Sequence, residues 1–133
     1  MDKNRLKSIP IFQNLTDKDL EVIATFAGET SASPGDTLVR EGDFSYELIA
    51  IEEGTAKVEQ AGRHLNDLGP GDFFGEMGVL ANEMRNATVT ATSPMRLITL
   101  TTWEIKRMQK MEGVMDAIHA VIDARRGGTP AAS

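Results

Sequence analysis

The spacing of apolar residues predicts a helical segment, a long stretch of short strands, and a second helical segment. The first helix is predicted to begin after Thr16, whose hydroxyl is a good N-cap, and to run to about Ala27, where Gly28 ends it. One face of this helix carries Leu20, Ile23 and Ala24. Residues 1–14 are predicted to form a leading arm with a turn or a short helix.

Between residues 30 and 100 the pattern changes to short apolar–polar alternations. The alternating segments are Thr37–Arg40, Tyr46–Ile51, Thr55–Glu59, His64–Leu68, Thr88–Ala91 and Leu97–Leu100. Turn signals such as Pro34-Gly35-Asp36 and Gly69-Pro70-Gly71-Asp72 separate them. Many short strands at this spacing predict a sandwich or barrel rather than β-α-β units. Phe73 and Phe74 fall at a strand end, and one of the two rings is expected to enter the core.

Residues 101–126 return to a helical period. Eight apolar residues recur at three-to-four spacing: Ile105, Met108, Met111, Val114, Met115, Ile118, Val121 and Ile122. Thr101 and Glu104 fit a capping box at the start of this segment, and Gly113 is expected to divide it into two helices or to kink it. Trp103 is expected to be a packing anchor.

The composition limits the classes of function. A chain of 133 residues is long enough for one domain, which we place at residues 1–126, followed by a flexible tail over residues 127–133. Cysteine is absent, which excludes a disulfide framework and is compatible with a reducing compartment, so we expect a cytoplasmic protein. The net charge of −6 argues against nucleic acid as a partner, and no apolar stretch approaches the length of a membrane span.

Residues suited to catalysis or metal binding are sparse. His64 and His119 are the only histidines, and both are expected at the surface, so we expect no metal site. No Ser-His-Asp or Cys-His set can be assembled from the sequence. We therefore expect a protein that is not an enzyme.

The most informative motif combines Phe73–Leu80 with Arg85–Val89. It sets Gly75 and Glu76 a few residues ahead of Arg85. Backbone N–H groups at a helix start can hold a phosphate, and an arginine can clamp two phosphate oxygens. A carboxylate can accept a hydrogen bond from a sugar hydroxyl. A small anion that carries a ribose needs such a set of groups.

This motif resembles the phosphate-binding cassette of the cyclic-nucleotide-binding domain family, whose pattern reads roughly F-G-E-(aliphatic)-(A/G)-L…(P)-R-x-A-(S/T)-V. The resemblance extends over residues 9–126, and the length of the chain best fits the small single-domain bacterial members of the family. It implies a mainly β fold with flanking α-helices: an eight-stranded antiparallel β-roll of the double-stranded β-helix or jelly-roll type. An N-terminal helix would precede the roll, and a B helix and a C helix would follow it.

The resemblance also implies a set of ligand-binding residues: Gly75, Glu76, Met77, Gly78, Val79, Arg85, Asn86, Ala87 and Thr88. The two glycines would offer N–H groups to the cyclic phosphate, and Arg85 would pair with its charge. Glu76 would accept a hydrogen bond from the ribose 2′-hydroxyl. Asn86 and Ala87 would donate backbone N–H groups, and Thr88 would position the following strand.

Two residues depart from the family pattern. Met84 stands where a proline often precedes the arginine, and Asn86 stands where many members have Ser, Thr or Ala. Asn86 therefore leaves cAMP and cGMP both open. The C helix usually caps the base in this family, and the sequence leaves four candidates for that role: Ile118, Val121, Ile122 and Arg125.

The implied function is a non-enzymatic sensor of a cyclic nucleoside monophosphate, with cAMP as the first expectation, cGMP as the second, and no other cofactor. The signal would be a movement of residues 101–126, passed to a protein effector or to a second copy in a homodimer. The alternative is a structural or protein-interaction module of the same fold that binds no nucleotide. Met84 and Asn86 are the sequence features that support this alternative.

Overall fold

The computed structural model describes residues 1–43, 47–75 and 87–126, and within these ranges eight strands form two antiparallel sheets. The strands are β1 (Gly28–Ala32), β2 (Thr37–Val39), β3 (Glu47–Glu53), β4 (Ala56–Gln60), β5 (Arg63–Leu68), β6 (Phe73–Phe74), β7 (Thr88–Ala91) and β8 (Met95–Thr101). The first sheet has the order β1-β8-β3-β6, and the second has the order β2-β7-β4-β5. The predicted mainly β fold, an antiparallel roll with flanking helices, is confirmed.

Helices lie on both sides of the strands in sequence. They are α1 (Lys3–Lys7), a 3₁₀ turn (Pro10–Phe12), α2 (Asp17–Ala24), α3 (Thr102–Met108) and α4 (Val114–Arg126). Gly113 has a φ of +76° and lies between α3 and α4, so the predicted division of the C-terminal segment is confirmed. The predicted apolar stripe is also confirmed: all eight of its residues are buried or half-buried against one cluster.

The central strands of the first sheet, β3 and β8, are buried on both faces. Their successive side chains point to opposite sides, so each strand contributes to two different layers. One face packs against the helices and carries Leu48, Ala50, Ile98 and Leu100. The other face packs against the second sheet and carries Ile49, Ile51, Met95 and Leu97; we call this second cluster the inter-sheet layer. Phe73 joins the helix side and Phe74 joins the inter-sheet layer, so both rings are buried, not one as predicted.

The first helix and the first strand differ from the predicted boundaries. Helix α2 ends at Ala24, and Gly28 opens β1 instead of ending the helix. The three central residues of β1 are exposed, so this strand has no apolar alternation to reveal it. It is held by pairing with β8, from Gly28 opposite Thr99 to Ala32 opposite Met95. A Cβ at residue 28 would lie 2.7 Å from the Thr99 hydroxyl oxygen, which explains a glycine there.

The two predicted helix caps have different outcomes. The Thr16 hydroxyl oxygen accepts a hydrogen bond from the Asp19 backbone N–H at 3.1 Å, so the first cap is confirmed. At the start of α3, the Thr101 side chain caps no backbone N–H. Its hydroxyl donates to the Glu104 carboxylate instead, which leaves the predicted capping box incomplete.

The prediction that Trp103 is a packing anchor was wrong. Its side chain is 76% exposed, while Ile105 and Met108 form the buried face of α3. Residue 103 lies about 200° around the helix axis from residue 105, which places it on the opposite side of α3. The Nζ atom of Lys106 lies 5.2 Å from the centre of the Trp103 ring, a cation–π contact at the surface.

An ion-pair cluster fastens α1 to the first sheet. The Nε and Nη2 atoms of Arg5 donate to the two carboxylate oxygens of Glu52 at 2.9 and 2.8 Å, and Nη1 donates to Glu29. The Nε atom of Arg96 lies 3.8 Å from the same Glu52 carboxylate, whose side chain is 13% exposed. The hydrogen bonds from Arg5 lower the pKa of Glu52 and outweigh the opposing effect of burial; the charges of Arg5 and Arg96 add to the lowering.

We expect Glu52→Gln to reduce the free energy of unfolding by about 1–2 kcal/mol at neutral pH, because charged hydrogen bonds to Arg5 are lost. The pKa of Glu52 is lower in the folded chain than in the unfolded chain. Its contribution is therefore present above the unfolded value of 4.5 and is lost as the pH falls through the folded value. Chemical denaturation across this pH range should show the difference between wild type and variant shrinking as the pH falls below 4.5.

The matched control is Glu53→Gln. Its carboxylate is 63% exposed and lies 3.5 Å from Nη1 of Arg96, so its removal should change stability by less than about 0.5 kcal/mol. Equal losses of unfolding free energy in the two variants would contradict the role assigned to the cluster. A loss in Glu52→Gln that does not change with pH would contradict it as well.

Candidate functional site

A cavity of about 510 Å³ opens between the two sheets, beside the edges formed by β1 and β2. Ile49 and Leu97 form the apolar part of its wall, and Thr30 and Thr99 add hydroxyl groups. Its volume lies within the range typical of sites for small molecules. The cavity is therefore large enough for a ligand of nucleotide size.

The wall of this cavity is fixed by strand register. Ile49 on β3 stands opposite Thr99 on β8 and opposite Phe74 on β6. Thr30 on β1 stands opposite Leu97 on β8. Ile49 thus lies opposite the residue that directly precedes Gly75.

Charged residues stand at the cavity mouth. Arg40 is exposed just after β2, and no carboxylate among the described residues lies within ion-pair distance of its guanidinium group. Asp36 holds the preceding turn, since its carboxylate accepts a hydrogen bond from the Ser33 N–H at 2.8 Å and its carbonyl accepts one from the Ala91 N–H at 2.8 Å. Glu47 also lines the cavity, so one cation and two carboxylates are its charged lining residues in the described part of the chain.

The structure describes three of the predicted ligand-binding residues: Gly75, Ala87 and Thr88. The others lie outside the described residues: Glu76, Met77, Gly78, Val79, Arg85 and Asn86. Gly75 follows β6 of the first sheet with a φ of +88°, a conformation that glycine adopts without steric cost. Ala87 is 1% exposed and precedes β7 of the second sheet. The predicted cassette therefore has its two ends in opposite sheets.

Hydrogen bonds through Glu41 hold the second end of the cassette. The Thr88 hydroxyl oxygen accepts a hydrogen bond from the Glu41 N–H at 3.0 Å. The carboxylate of Glu41 accepts another from the Ala61 N–H at 3.0 Å. Ala61 has a φ of +51° in the turn between β4 and β5. Glu41 thus connects the loop after β2, the β4–β5 turn and the start of β7.

Asn66 is a polar residue of the roll that the sequence did not single out. It lies on β5 opposite Val58, a buried member of the inter-sheet layer, and two residues before the buried Leu68. Its Oδ1 atom is buried, and no donor among the described residues is bonded to it. Buried acceptors without a partner are rare in folded proteins, so this one marks a place where a further donor is expected.

The candidates for a cap over the base lie away from this cavity. Ile118, Val121 and Ile122 are buried in the helix-side cluster, and none of them lines the cavity. The side chain of the fourth candidate, Arg125, lies outside the described residues. In this arrangement α4 covers the outer face of the first sheet.

The described part of the chain lacks the features of two other classes of site. Within residues 1–43, 47–75 and 87–126, no group of three or more His, Cys, Asp or Glu side chains could hold a metal ion. No helix there combines the length and the apolar character that a membrane crossing requires. His64 is exposed and lies 2.9 Å from Asp67, and His119 is exposed on α4, so both histidines are at the surface as predicted.

Three comparisons with known proteins bear on this arrangement. The sequence model of the cyclic nucleotide-binding domain matches residues 29–111. A cGMP-dependent protein kinase from Toxoplasma gondii is 38% identical over 86 residues, which are 65% of this chain and 9% of the kinase. A cAMP-dependent protein kinase regulatory subunit from Hypocrea atroviridis is 32% identical over 100 residues, which are 75% of this chain and 22% of that subunit. The chain spans less than a quarter of the length of either relative.

A solved structure shares the fold at lower sequence identity. The regulatory subunit of a cAMP-independent protein kinase A from Trypanosoma brucei superposes with a TM-score of 0.81 at 22% identity. The match covers 92% of this chain and 44% of that one. At this identity the likeness is one of fold, and the fold alone does not decide which ligand is bound.

We expect Thr88→Val to loosen the connection at the end of the cassette, because valine keeps the branched shape but removes the oxygen that accepts from Glu41. Amide hydrogen exchange at Glu41 should become about five- to tenfold faster. Thr90→Val, two residues further along β7, is the control and should leave that exchange rate unchanged. An unchanged rate in Thr88→Val would contradict the link.

Proposed function

The chain belongs to the cyclic nucleotide-binding domain family, and from this premise we propose that it is a regulatory domain that binds one cyclic nucleoside monophosphate without converting it. We assign the function to residues 1–126. The observation that carries the proposal is the cavity of about 510 Å³ between the sheets, within the stretch that matches the family. We propose cAMP as the first ligand and cGMP as the second, with no further cofactor.

We assign the cyclic phosphate to the cassette. Arg85 pairs with the phosphate charge, because a buried anion needs a partner and the planar guanidinium can bond two of its oxygens. Backbone N–H groups of Gly75, Gly78, Asn86 and Ala87 complete the phosphate site. The burial of Gly75 and Ala87 supports this assignment, because Ala87 belongs to the inter-sheet layer and Gly75 directly follows Phe74 of that layer.

We assign the remaining cassette residues to the binding of the sugar and the base. The Glu76 carboxylate accepts the ribose 2′-hydroxyl, while Met77 and Val79 provide apolar contacts and Thr88 fixes the end of the cassette. The hydrogen bond to the ribose distinguishes a nucleotide from a simple phosphate.

We propose that the output is a movement of α3 and α4 over the roll, read by a protein effector or by a second copy in the cytoplasm. The cGMP- and cAMP-dependent kinases among the relatives support a protein effector, since the chain matches only a small part of each. A ligand can shift this equilibrium only by its difference in affinity for the two states, typically about 1–3 kcal/mol.

A second candidate is a module of the same fold that binds no cyclic nucleotide. The departures from the family pattern at Met84 and Asn86 support it. This candidate retains the roll and the helix packing but gives the cassette a structural role.

Thermal melts with cAMP, cGMP and 5′-AMP separate these candidates. At about a hundred times Kd, one-site binding adds about 2.7 kcal/mol, a shift of several degrees. We expect one of the cyclic nucleotides to give this shift and 5′-AMP to give none. Arg85→Ala should abolish the shift, and Arg85→Lys should reduce it because a point charge does not replace the planar fork.

Arg63→Ala is the matched control, because Arg63 is an exposed arginine of β5 with no ion pair to any described residue. The shift in melting temperature that the ligand gives in this variant should equal the shift in the wild type. No shift with any nucleotide at about 1 mM would favour the module without ligand.

Trp103 gives an independent measure of the output. It is the only tryptophan of the chain and is 76% exposed on α3, so its emission reports changes around that helix. We expect saturating cyclic nucleotide to move the Trp103 emission maximum in the wild type and not in Arg85→Ala. A thermal shift without any change in emission would contradict movement of α3 while leaving ligand binding in place.

A further inference from the structure

The outer side of α3 carries an aromatic ring among cations. Trp103 is 76% exposed, and the exposed Lys106 and Arg107 follow it on the same side of the helix, at spacings of three and four residues. The exposed Lys110 lies in the turn just after the helix ends at Met108. We call this surface the basic face of α3; its residues are Trp103, Lys106, Arg107 and Lys110.

The cations of this face have no acidic partners within the described part of the chain. No described carboxylate lies within ion-pair distance of Lys106, Arg107 or Lys110. Glu104, the nearest acidic residue along α3, is bonded by the Thr101 hydroxyl. Other cations of the chain do have such partners: Lys3, Arg5, Lys7, Lys57 and Arg96.

Aromatic rings hold two of these cations in place. The Nζ atom of Lys106 lies 5.2 Å from the centre of the Trp103 ring. The guanidinium carbon of Arg107 lies 4.9 Å from the centre of the ring of Phe26, which is half-buried just after α2. Such contacts restrict the two side chains before any partner arrives, and this reduces the entropy lost on binding.

We propose that the basic face of α3 docks an acidic segment of a partner protein, with an apolar side chain of that segment against the Trp103 ring. The charges are complementary, since three unpaired cations stand together on a chain of net charge −6. Tryptophan and arginine are the residues most enriched where binding energy concentrates in protein interfaces. Because α3 joins β8 to α4, a partner seated there contacts the roll and the C-terminal helix through one short element.

The other polyanions fit this face less well. A membrane surface needs a broad apolar helix face, but Ile105 and Met108 of α3 are buried inside the protein and leave one exposed ring. Nucleic acid binding needs many phosphate contacts, and the net charge of −6 opposes them. An acidic protein segment requires only a few cations and one apolar contact.

Trp103 emission tests the proposal with the whole chain. The probe is a short synthetic peptide of glutamate, leucine and serine without aromatic residues; a peptide with lysine in place of glutamate is its control. We expect the acidic peptide to move the emission maximum to shorter wavelength with saturation below about 1 mM, and the basic peptide to have no effect. Raising the NaCl concentration from about 50 mM to about 500 mM should weaken binding about tenfold.

Substitutions then locate the binding surface. Lys106→Glu and Lys110→Glu should each weaken peptide binding about tenfold. Lys18→Glu on α2 is the matched control, because Lys18 is exposed and has no ion pair to any described residue, and it should leave the affinity unchanged. Trp103→Ala, followed by calorimetry, should weaken binding as well, and melts should show that every variant is folded.

Three results would overturn the proposal. The first is the absence of any change in emission with the acidic peptide at about 1 mM. The second is an equal loss of peptide affinity in Lys106→Glu and Lys18→Glu. The third is a larger response to phosphatidylserine vesicles or to single-stranded DNA than to the peptide, which would assign the face to another class of partner. None of these results bears on nucleotide binding, which is measured separately by the melts.

Discussion

The fold depends on the burial of the first sheet on both faces. Because alternate residues of a strand point to opposite sides, β3 and β8 must be apolar at nearly every central position. One set of side chains, represented by Leu48 and Ile98, faces the helices, and the other set, represented by Ile49 and Leu97, faces the second sheet. The helices are consequently held on one side of this sheet, and the cavity lies on the other. The Arg5–Glu52 pair adds a polar attachment to the same sheet.

This arrangement explains where the proposed site lies. The cassette leaves the first sheet at Gly75 and enters the second sheet at Ala87, so its ends are held by separate ladders. Glu41 adds hydrogen bonds to Thr88 and to the turn at Ala61. A ligand that bridges such a junction would bring together backbone segments that the fold otherwise connects only through loops. A binding event there is therefore well placed to alter packing on both sides of the roll.

Helix α3 has one side buried in the core and one side exposed to solvent. Its inner side, with Ile105 and Met108, is part of the helix-side cluster, and its outer side carries Trp103 and unpaired cations. The same short helix is thus packed on the roll on one side and exposes a charged surface on the other.

The sequence by itself determined most element types, a sandwich or barrel of short strands, and the cassette motif, because alternation, turn residues and short motifs are local signals; the antiparallel roll was what the family resemblance implied. Thr16 as an N-cap and Gly113 as a helix divider were predicted for the same reason. Only the tertiary structure decided the strand β1, the outward position of Trp103 and the link through Glu41. Each of these depends on which distant segment supplies a ladder partner, a covering surface or a donor, and local periodicity does not carry that information.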